Sequence, residues 1–424
     1  MKYSVVTFGC RVNQADSLGF EEELLRSGAC ASSPEEADLV VVNTCSVTAS
    51  ADQGARQTVR RIARANPAAR IVVTGCYASR KPDEIAALPN VFRVVANDDK
   101  PALIALADLG TPPHATTATR FGDGEGSCGA SIEPGLAGRT AFTLRLQTGC
   151  AEACSYCIIP TTRGRPRSRS RHEVLDEVAR VAAARYKEIA LTGVHLGSYG
   201  RDLDPATSLF DLLRALERWR AGRQLSFRIS SLEPMDCSRE IVDLVASTDA
   251  FAPHFHLPLQ HVSNRMLAAM RRPYSAEYYT ALVAEIRRRI PHASIGTDVI
   301  VGFPGETDED FTCLERSLEN SPLTHVHVFP YSDRPGTEAA ALPGKVAGNV
   351  VRERGQRIRR IAAELSLRFR QQQIGSIRSG LTIEDGSLVV TDNYLKLRIE
   401  PGLPRNEWVR VRVRSDHHGE LLAG

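Results

Sequence analysis

The sequence predicts an α/β fold in three parts: an amino-terminal parallel-sheet α/β domain, a central partial (β/α)6 barrel and a small carboxyl-terminal β-barrel. Three observations predict it. Short β-branched runs alternate with helical periodicity over residues 1–100, and the same rhythm returns from Thr140 through six repeats, as in parallel sheets covered by helices. Between these stretches, Gly, Pro, Thr and Ala dominate with little apolar periodicity, as in a linker. The last fifty or so residues hold only short strands separated by turn residues such as Glu384-Asp385-Gly386 and Asp392-Asn393. The implied divisions are 1–110, a linker at 111–139, 140–370 and 371–424.

In the first part, strands are expected at Tyr3–Phe8, Asp38–Val42, Arg70–Thr74 and Val91–Val95. Helices are expected at 14–27, 51–65 and 81–88, with Asn66-Pro67 stopping the second. Each of the first three strands runs into a turn holding one cysteine: Cys10, Cys45 and Cys76. Ligands of open parallel sheets gather beyond the carboxyl ends of strands, so three sulfurs distant in sequence would meet at one edge. Three buried cysteines acting as small hydrophobes are the plainer alternative. It fits less well, because structural cysteines more often lie within strands. Cys30, Cys128, Cys237 and Cys313 have no such placement and are read as structural.

The six later strands are expected at Phe142–Gln147, Glu188–Thr192, Leu225–Leu232, His254–Leu259, Ser294–Val301 and His325–Tyr331. In a (β/α) barrel the chemistry sits at strand carboxyl ends. Those ends are polar or glycine-rich here, at Gly193, Ser230-Ser231, Gln260 and Gly302–Gly305, where glycine lets backbone approach a ligand closely. Gly193, Ser231, Gly302 and Gly305 are the candidate ligand contacts, with ordinary turn chemistry as the alternative. His195, His256 and His261 also lie near strand ends. A histidine there is more often a hydrogen-bonded structural residue than an acid–base group.

The first barrel strand leads into Gly149-Cys150-Ala151-Glu152-Ala153-Cys154-Ser155-Tyr156-Cys157-Ile158-Ile159-Pro160. A loop with Cys-x3-Cys-x2-Cys spacing can wrap three sulfurs around one corner of a [4Fe–4S] cube. Such clusters normally take four thiolates, so the fourth iron would be open to a small molecule. A zinc knuckle needs a second Cys pair or His group, and none follows within reach.

Apolar and charged residues make up 42% and 24% of the 424 residues, and the net charge is +3, as in an ordinary globular protein of two or three domains. No apolar run approaches membrane-spanning length and residues 1–10 enter a strand, so neither a signal peptide nor a span is expected, and the ten cysteines read as cytoplasmic thiols. The charge distribution says more than the total. Arg163, Arg165, Arg167, Arg169 and Arg171 alternate after the cysteine loop with no acid among them. In an extended segment, alternation places them on one face, where nucleic-acid phosphates would be neutralised. A basic helix over 352–370 would add a second patch, although a solvated face is the usual role of such a run.

The Cys-x3-Cys-x2-Cys spacing with Tyr156 resembles the signature of radical S-adenosylmethionine (SAM) enzymes. Thr7-Phe8-Gly9-Cys10 through Ser17, Asn43-Thr44-Cys45-Ser46-Val47-Thr48 and Thr74-Gly75-Cys76-Tyr77-Ala78 resemble the amino-terminal domain of the radical SAM methylthiotransferases. Thr391-Asp392-Asn393-Tyr394 is similar to part of their RNA-binding TRAM domain. Within that family, Ala51–Gln57 and His327–Tyr331 look most like the branch acting on N6-threonylcarbamoyladenosine in tRNA; relatives modify isopentenyladenosine in tRNA or a ribosomal-protein aspartate. The chain departs from the family pattern at Gln260-His261-Val262-Ser263 and at Thr161-Thr162.

The resemblance implies a tRNA methylthiotransferase with two [4Fe–4S] clusters, one on Cys150, Cys154 and Cys157, the other on Cys10, Cys45 and Cys76. It implies SAM held near Gly193, Ser231, Gly302 and Gly305, and cleaved reductively to a 5′-deoxyadenosyl radical. It also implies a tRNA anticodon stem-loop as partner, for which the alternating Arg163, Arg165, Arg167 and Arg169 are the candidate contacts, and an electron donor such as flavodoxin or ferredoxin. An iron–sulfur RNA-binding protein without catalysis is the alternative from another class.

Overall fold

The computed structural model describes residues 1–107 and 140–422; the expected linker at 111–139 and Cys128 lie outside the described residues. The first sheet contains β1 (Lys2–Thr7), β2 (Cys30–Ala31), β3 (Leu39–Thr44), β4 (Arg70–Gly75) and β5 (Val91–Val95), in the parallel order β2-β1-β3-β4-β5. All six residues of β3 are buried, as expected of a central parallel strand covered on both faces. Val40, Val42, Ile71 and Val73 pack against Val59 and Ile62 of helix Ala49–Ala65. Leu39, Val41 and Val72 pack on the other face against Phe20 and Leu24 of helix Arg11–Arg26.

The central part contains β6 (Phe142–Thr148), β7 (Arg167–Ser168), β8 (Glu188–Gly193), β9 (Ser226–Ile229), β10 (His254–His256), β11 (Ser294–Val301) and β12 (His325–Pro330). They form two sheets, β7-β6-β8-β9 and β10-β11-β12, joined by parallel bridges at Phe227–Phe251 and Ser231–His256. The six main strands run parallel and make the expected partial barrel; β7 is a short antiparallel addition against β6.

Side chains alternate across each strand. Phe142, Leu144 and Leu146 of β6, Ile189 and Leu191 of β8, and Ile295, Val299 and Val301 of β11 join the core shared with the surrounding helices. The opposite, inner face therefore carries Arg145 and Gln147, Arg228, His254 and His256, Asp298, and His325 and His327. Closed (β/α)8 barrels fill their interior with branched apolar layers. This lumen is polar and ionised instead.

The carboxyl-terminal sheet contains β13 (Ile377–Ile383), β14 (Leu388–Thr391), β15 (Lys396–Arg398), β16 (Trp408–Val413) and β17 (Gly419–Leu421), antiparallel in the order β15-β14-β13-β16-β17. A bridge between Arg398 and His418 draws its two edges together. Helix Gly348–Gln372 connects it to the barrel, with Ile358, Ile361 and Leu365 in the barrel core and Phe369 in the terminal one. This is the helix expected at 352–370, and much of its charge points at the barrel. Arg354 bonds Glu306 and Asp308, Arg357 bonds Glu315, and Arg368 donates to the carbonyls of Glu319 and Ser321. Among the described residues no helix is long and apolar enough to cross a membrane.

Candidate active site: two thiol triads at a polar lumen

Cys10, Cys45 and Cys76 follow β1, β3 and β4, at the carboxyl edge of the first sheet. Their loops are in van der Waals contact. Gly75 has φ +99°, and a Cβ there would lie 2.2 Å from the Thr44 carbonyl oxygen, so only glycine lets the Cys76 turn press against the Cys45 turn. The sulfurs feel one another: burial pushes the Cys45 thiol up to about 11, and the charges of Cys76 and Cys10 add to that. Cys76 is the exception. Burial opposes its ionisation, but Arg163 and Lys100 outweigh it and lower its pKa. Asn97 Nδ2 lies 3.7 Å from Cys76 Sγ and donates to the Thr162 carbonyl at 2.8 Å.

Two buried carboxylates fix these loops to the barrel. Asp16, fully buried in helix Arg11–Arg26, receives Lys100 Nζ at 2.6 Å and Arg145 Nη1 at 2.5 Å, and lies 3.4 Å from Arg163 Nη2. Burial disfavours the Asp16 anion, but these three cations hold its carboxyl far below the usual range. Asp52 accepts from Ser46 Oγ at 2.7 Å, Arg80 Nη2 at 2.6 Å and Arg334 Nη1 at 2.6 Å. The Cys45 loop, the helix beginning at Cys76 and the segment after β12 thereby share one anion.

Cys150, Cys154 and Cys157 form the second triad, on the loop after β6. Gly149 has φ +76°, and a Cβ there would clash with the Arg165 carbonyl at 2.0 Å, so glycine is required where the loop closes on itself. Burial pushes Cys157 up to about 12, with Cys154 and Cys150 adding to the effect. Arg272 Nη1 donates to Cys154 Sγ at 3.1 Å and also binds Glu233. Burial works against protonating His195, but hydrogen bonds to Asp236 and Cys150 raise it to about 10, so it is a cation at neutral pH. Its Nε2 is 2.9 Å from Asp236 Oδ2. Tyr156 packs against the cluster formed by Met266, Met270, Ile300 and Phe303.

The six cysteines thus fall into the two groups of three read from the sequence. Each group offers three sulfurs with no fourth cysteine of the described residues among its interaction partners, a donor set that fits a [4Fe–4S] cluster with one iron left open. Of the other cysteines, Cys237 is buried in the barrel core, whereas Cys30 and Cys313 are exposed rather than buried.

The remaining expected ligand positions divide. Gly193 ends β8 beside Gln147, whose Oε1 accepts from the amides of Val194 and His195. Ser231 is exposed beside His256. The amides of Gly302 and Gly305 are already taken, by Glu306 Oε2 and the Gly344 carbonyl, and a Cβ on Gly302 would meet Val351, so packing accounts for that turn. His261 is fully buried against Glu306, a structural position. His256 faces the lumen, 3.0 Å from Asp298 Oδ1 and with its ring centroid 5.6 Å from that of His327.

Alternation does not place all the arginines on one face. Arg163 ends a short helix, Ile159–Arg163, and is only 2% exposed, with its guanidinium on Asn13 and Asp16. It therefore faces the thiols, where RNA phosphates do not reach. Arg165, Arg167 and Arg171 are exposed and Arg169 is half-buried; Arg167 pairs with Asp98 at 2.7 Å. Sequence reasoning missed Asp16, Lys100, Arg272 and Asp236, single polar residues whose importance arises only from what folds beside them. A cavity of about 820 Å³ lies elsewhere, between Ser226, Phe251 and Pro253 of the barrel and Trp408 and Arg410 of the terminal sheet.

A six-stranded open barrel with three thiols in the loop after its first strand, joined to a second thiol-bearing α/β unit, defines a radical SAM protein with an added amino-terminal domain. Residues 144–315 match the Radical SAM superfamily, and residues 2–97 match the family described as Uncharacterized protein family UPF0004. The chain is 35% identical over 417 residues to the Threonylcarbamoyladenosine tRNA methylthiotransferase MtaB of Aquifex aeolicus, covering 97% of this chain and 100% of that one. It is 34% identical to the tRNA-2-methylthio-N(6)-dimethylallyladenosine synthase of Pelotomaculum thermopropionicum, over 90% and 86% of the two chains. Among solved structures, the radical SAM methyltransferase TsrM of Kitasatospora setae shares the fold at 18% identity, with a TM-score of 0.57 over 80% of this chain and 75% of that one. The chain belongs to the radical SAM methylthiotransferase family, whose members use SAM and [4Fe–4S] clusters.

Proposed function

We propose that the chain is a tRNA methylthiotransferase that places a methylthio group on C2 of N6-threonylcarbamoyladenosine at position 37, beside the anticodon. Full-length similarity to the Aquifex aeolicus enzyme carries this reading. In it, Cys150, Cys154 and Cys157 hold the cluster that binds SAM, and Cys10, Cys45 and Cys76 hold the cluster that carries the inserted sulfur. Those groups supply radical and sulfur chemistry that side chains lack, because no side-chain base removes an aromatic C–H proton at neutral pH.

The chain's own residues position and shield. Arg272 donates to Cys154 and fixes Glu233 at the lumen rim, while His195 supplies positive charge beside Cys150. Arg163 and Lys100 supply it beside Cys76. Gly193 and Ser231 remain the SAM contacts proposed from the strand ends. Exposed Arg165, Arg167 and Arg171 would take anticodon-stem phosphates, with partly buried Arg169 beside them. The same reading places the protein in the cytoplasm with an electron donor such as flavodoxin or ferredoxin.

Similarity to dimethylallyladenosine synthases keeps a second substrate in view. Mass spectrometry of tRNA nucleosides with and without the gene separates them. Loss of 2-methylthio-N6-threonylcarbamoyladenosine is the expected result. Its retention, with loss of the methylthio-dimethylallyl nucleoside, would overturn the threonylcarbamoyl reading.

A further inference from the structure

Arg11 follows the exposed Cys10 and begins the helix that lies against β6. Its guanidinium leaves the amino-terminal unit and enters the barrel. Nη1 lies 3.3 Å from Ser230 Oγ, just after β9, and Nη2 lies 3.4 Å from the Tyr394 hydroxyl of the terminal domain. Both are long hydrogen bonds to neutral groups. The other guanidiniums of this region are matched: Arg145 by Asp16, and Arg228 by Glu188 at 2.9 Å. Arg11 has no carboxylate partner among the described residues.

Its surroundings are electropositive. Burial holds His254 well below its ordinary value, and the charges of Arg228 and Arg11 push it further down. His325 is pushed down to about 4, by burial first and then by His327 and His256. These rings pack on Tyr394, with centroids 4.9 and 6.2 Å away. The region thus keeps His254 and His325 neutral and leaves one guanidinium without a carboxylate, which is the condition for receiving an anion.

We propose that Arg11 is the carboxylate receptor of this site, selecting substrates whose base carries an anionic substituent on N6. The inference rests on the threonylcarbamoyl reading above. Threonylcarbamoyladenosine bears a free carboxylate at the end of the substituent on N6, on the same six-membered ring that holds C2, whereas a dimethylallyl group is neutral and offers a guanidinium nothing. Arg11 lies one residue from a thiol of the sulfur-bearing triad, so a base whose C2 meets that triad brings its N6 substituent within the lumen that Arg11 enters. A planar fork of donors suits a carboxylate.

The test compares wild type, Arg11→Gln and Arg11→Lys holoenzymes. Each is titrated with anticodon stem-loops carrying threonylcarbamoyladenosine, its methyl ester or plain adenosine, and iron per chain is measured alongside. Arg11→Gln should weaken binding of the carboxylate stem-loop about 10- to 100-fold. It should leave the ester and adenosine stem-loops unchanged and iron content intact, and Arg11→Lys should recover part of the loss. Equal weakening of all three stem-loops would assign Arg11 to a backbone phosphate and overturn the proposal, as would no weakening at all. A wild-type enzyme that modifies dimethylallyladenosine and ignores threonylcarbamoyladenosine would overturn the substrate reading and this inference together. One that modifies threonylcarbamoyladenosine equally well with or without Arg11 would overturn this inference alone.

Discussion

The Arg163 guanidinium lies 3.4 Å from the buried Asp16 carboxylate, joining the segment after the Cys150–Cys157 loop to the helix that begins beside Cys10. Arg163 lies six positions after Cys157, and it in turn raises the acidity of Cys76. The loop that carries the second triad is therefore tied to the first triad through Arg163 and Asp16. Replacing Asp16 with Asn leaves Lys100, Arg145 and Arg163 buried without their anion. Removing one partner of a buried ion pair costs about 3–5 kcal/mol. Chemical denaturation of Asp16→Asn should show a loss of that size, present throughout neutral pH because the folded Asp16 titrates only in strong acid.

The triads should empty separately. Cys45→Ser and Cys154→Ser should each reduce iron from about eight to about four per chain, since a [4Fe–4S] cluster needs its thiolates. The Cys45→Ser protein should still cleave SAM to 5′-deoxyadenosine, and the Cys154→Ser protein should not. Iron analysis with chromatography of the nucleoside product distinguishes the two.

Arg272 bonds Cys154 and Glu233 together, a fork that lysine does not reproduce. Arg272→Met removes a charge-assisted hydrogen bond to sulfur and leaves Glu233 unmatched. SAM cleavage by reduced Arg272→Met enzyme should fall about tenfold or more, the effect of losing one hydrogen bond to a charged group. A shift of the cluster's reduction potential to a more negative value, read by spectroelectrochemistry, should accompany it.

His325 is folded neutral, pushed down to about 4 mainly by burial. Unfolded chain takes up its proton near pH 6.5, so the unfolded state binds more protons between pH 6.5 and 4. Stability should fall across that window as pH decreases and level off below it, by an amount on the order of 2–3 kcal/mol from this residue. His325→Gln should flatten the profile by that portion in denaturation curves at pH 7 and pH 4.

Arg165 and Arg171 are exposed and form no salt bridge among the described residues, whereas Arg163 is buried. Arg165→Gln with Arg171→Gln should weaken tRNA binding irrespective of sequence. The slope of log affinity against log salt should drop by about 1 for each phosphate that is no longer neutralised.

Strands with clean patterns were legible. Val91–Val95 and Ser294–Val301 occur as read from their β-branched runs. His254–His256 ends sooner than its pattern suggested, ahead of Pro258, which has no N–H for a ladder. Tyr394 turns with φ 70°, so the strand after it begins only at Lys396. The thiol triads were legible because cysteine spacing and strand ends are local features. Arg163 was misread for a physical reason: Pro160 at the start of Ile159–Arg163 favours a helical turn, so the run of alternating arginines begins coiled rather than extended. Asp16 and Arg272 carry no local pattern, since their partners lie 84 and 118 residues away at Lys100 and Cys154.

The apolar packing of the barrel lies between strands and helices on the outside, and on its inner wall the buried pairs Arg145–Asp16 and Arg228–Glu188 carry the cohesion. Amino-acid changes at Asp298, His327 or Ser230 can therefore accumulate with little penalty to folding. Descendants of such a scaffold are free to exchange one modified base for another while the shell stays the same, which suits a family whose members are named for both charged and neutral substituents.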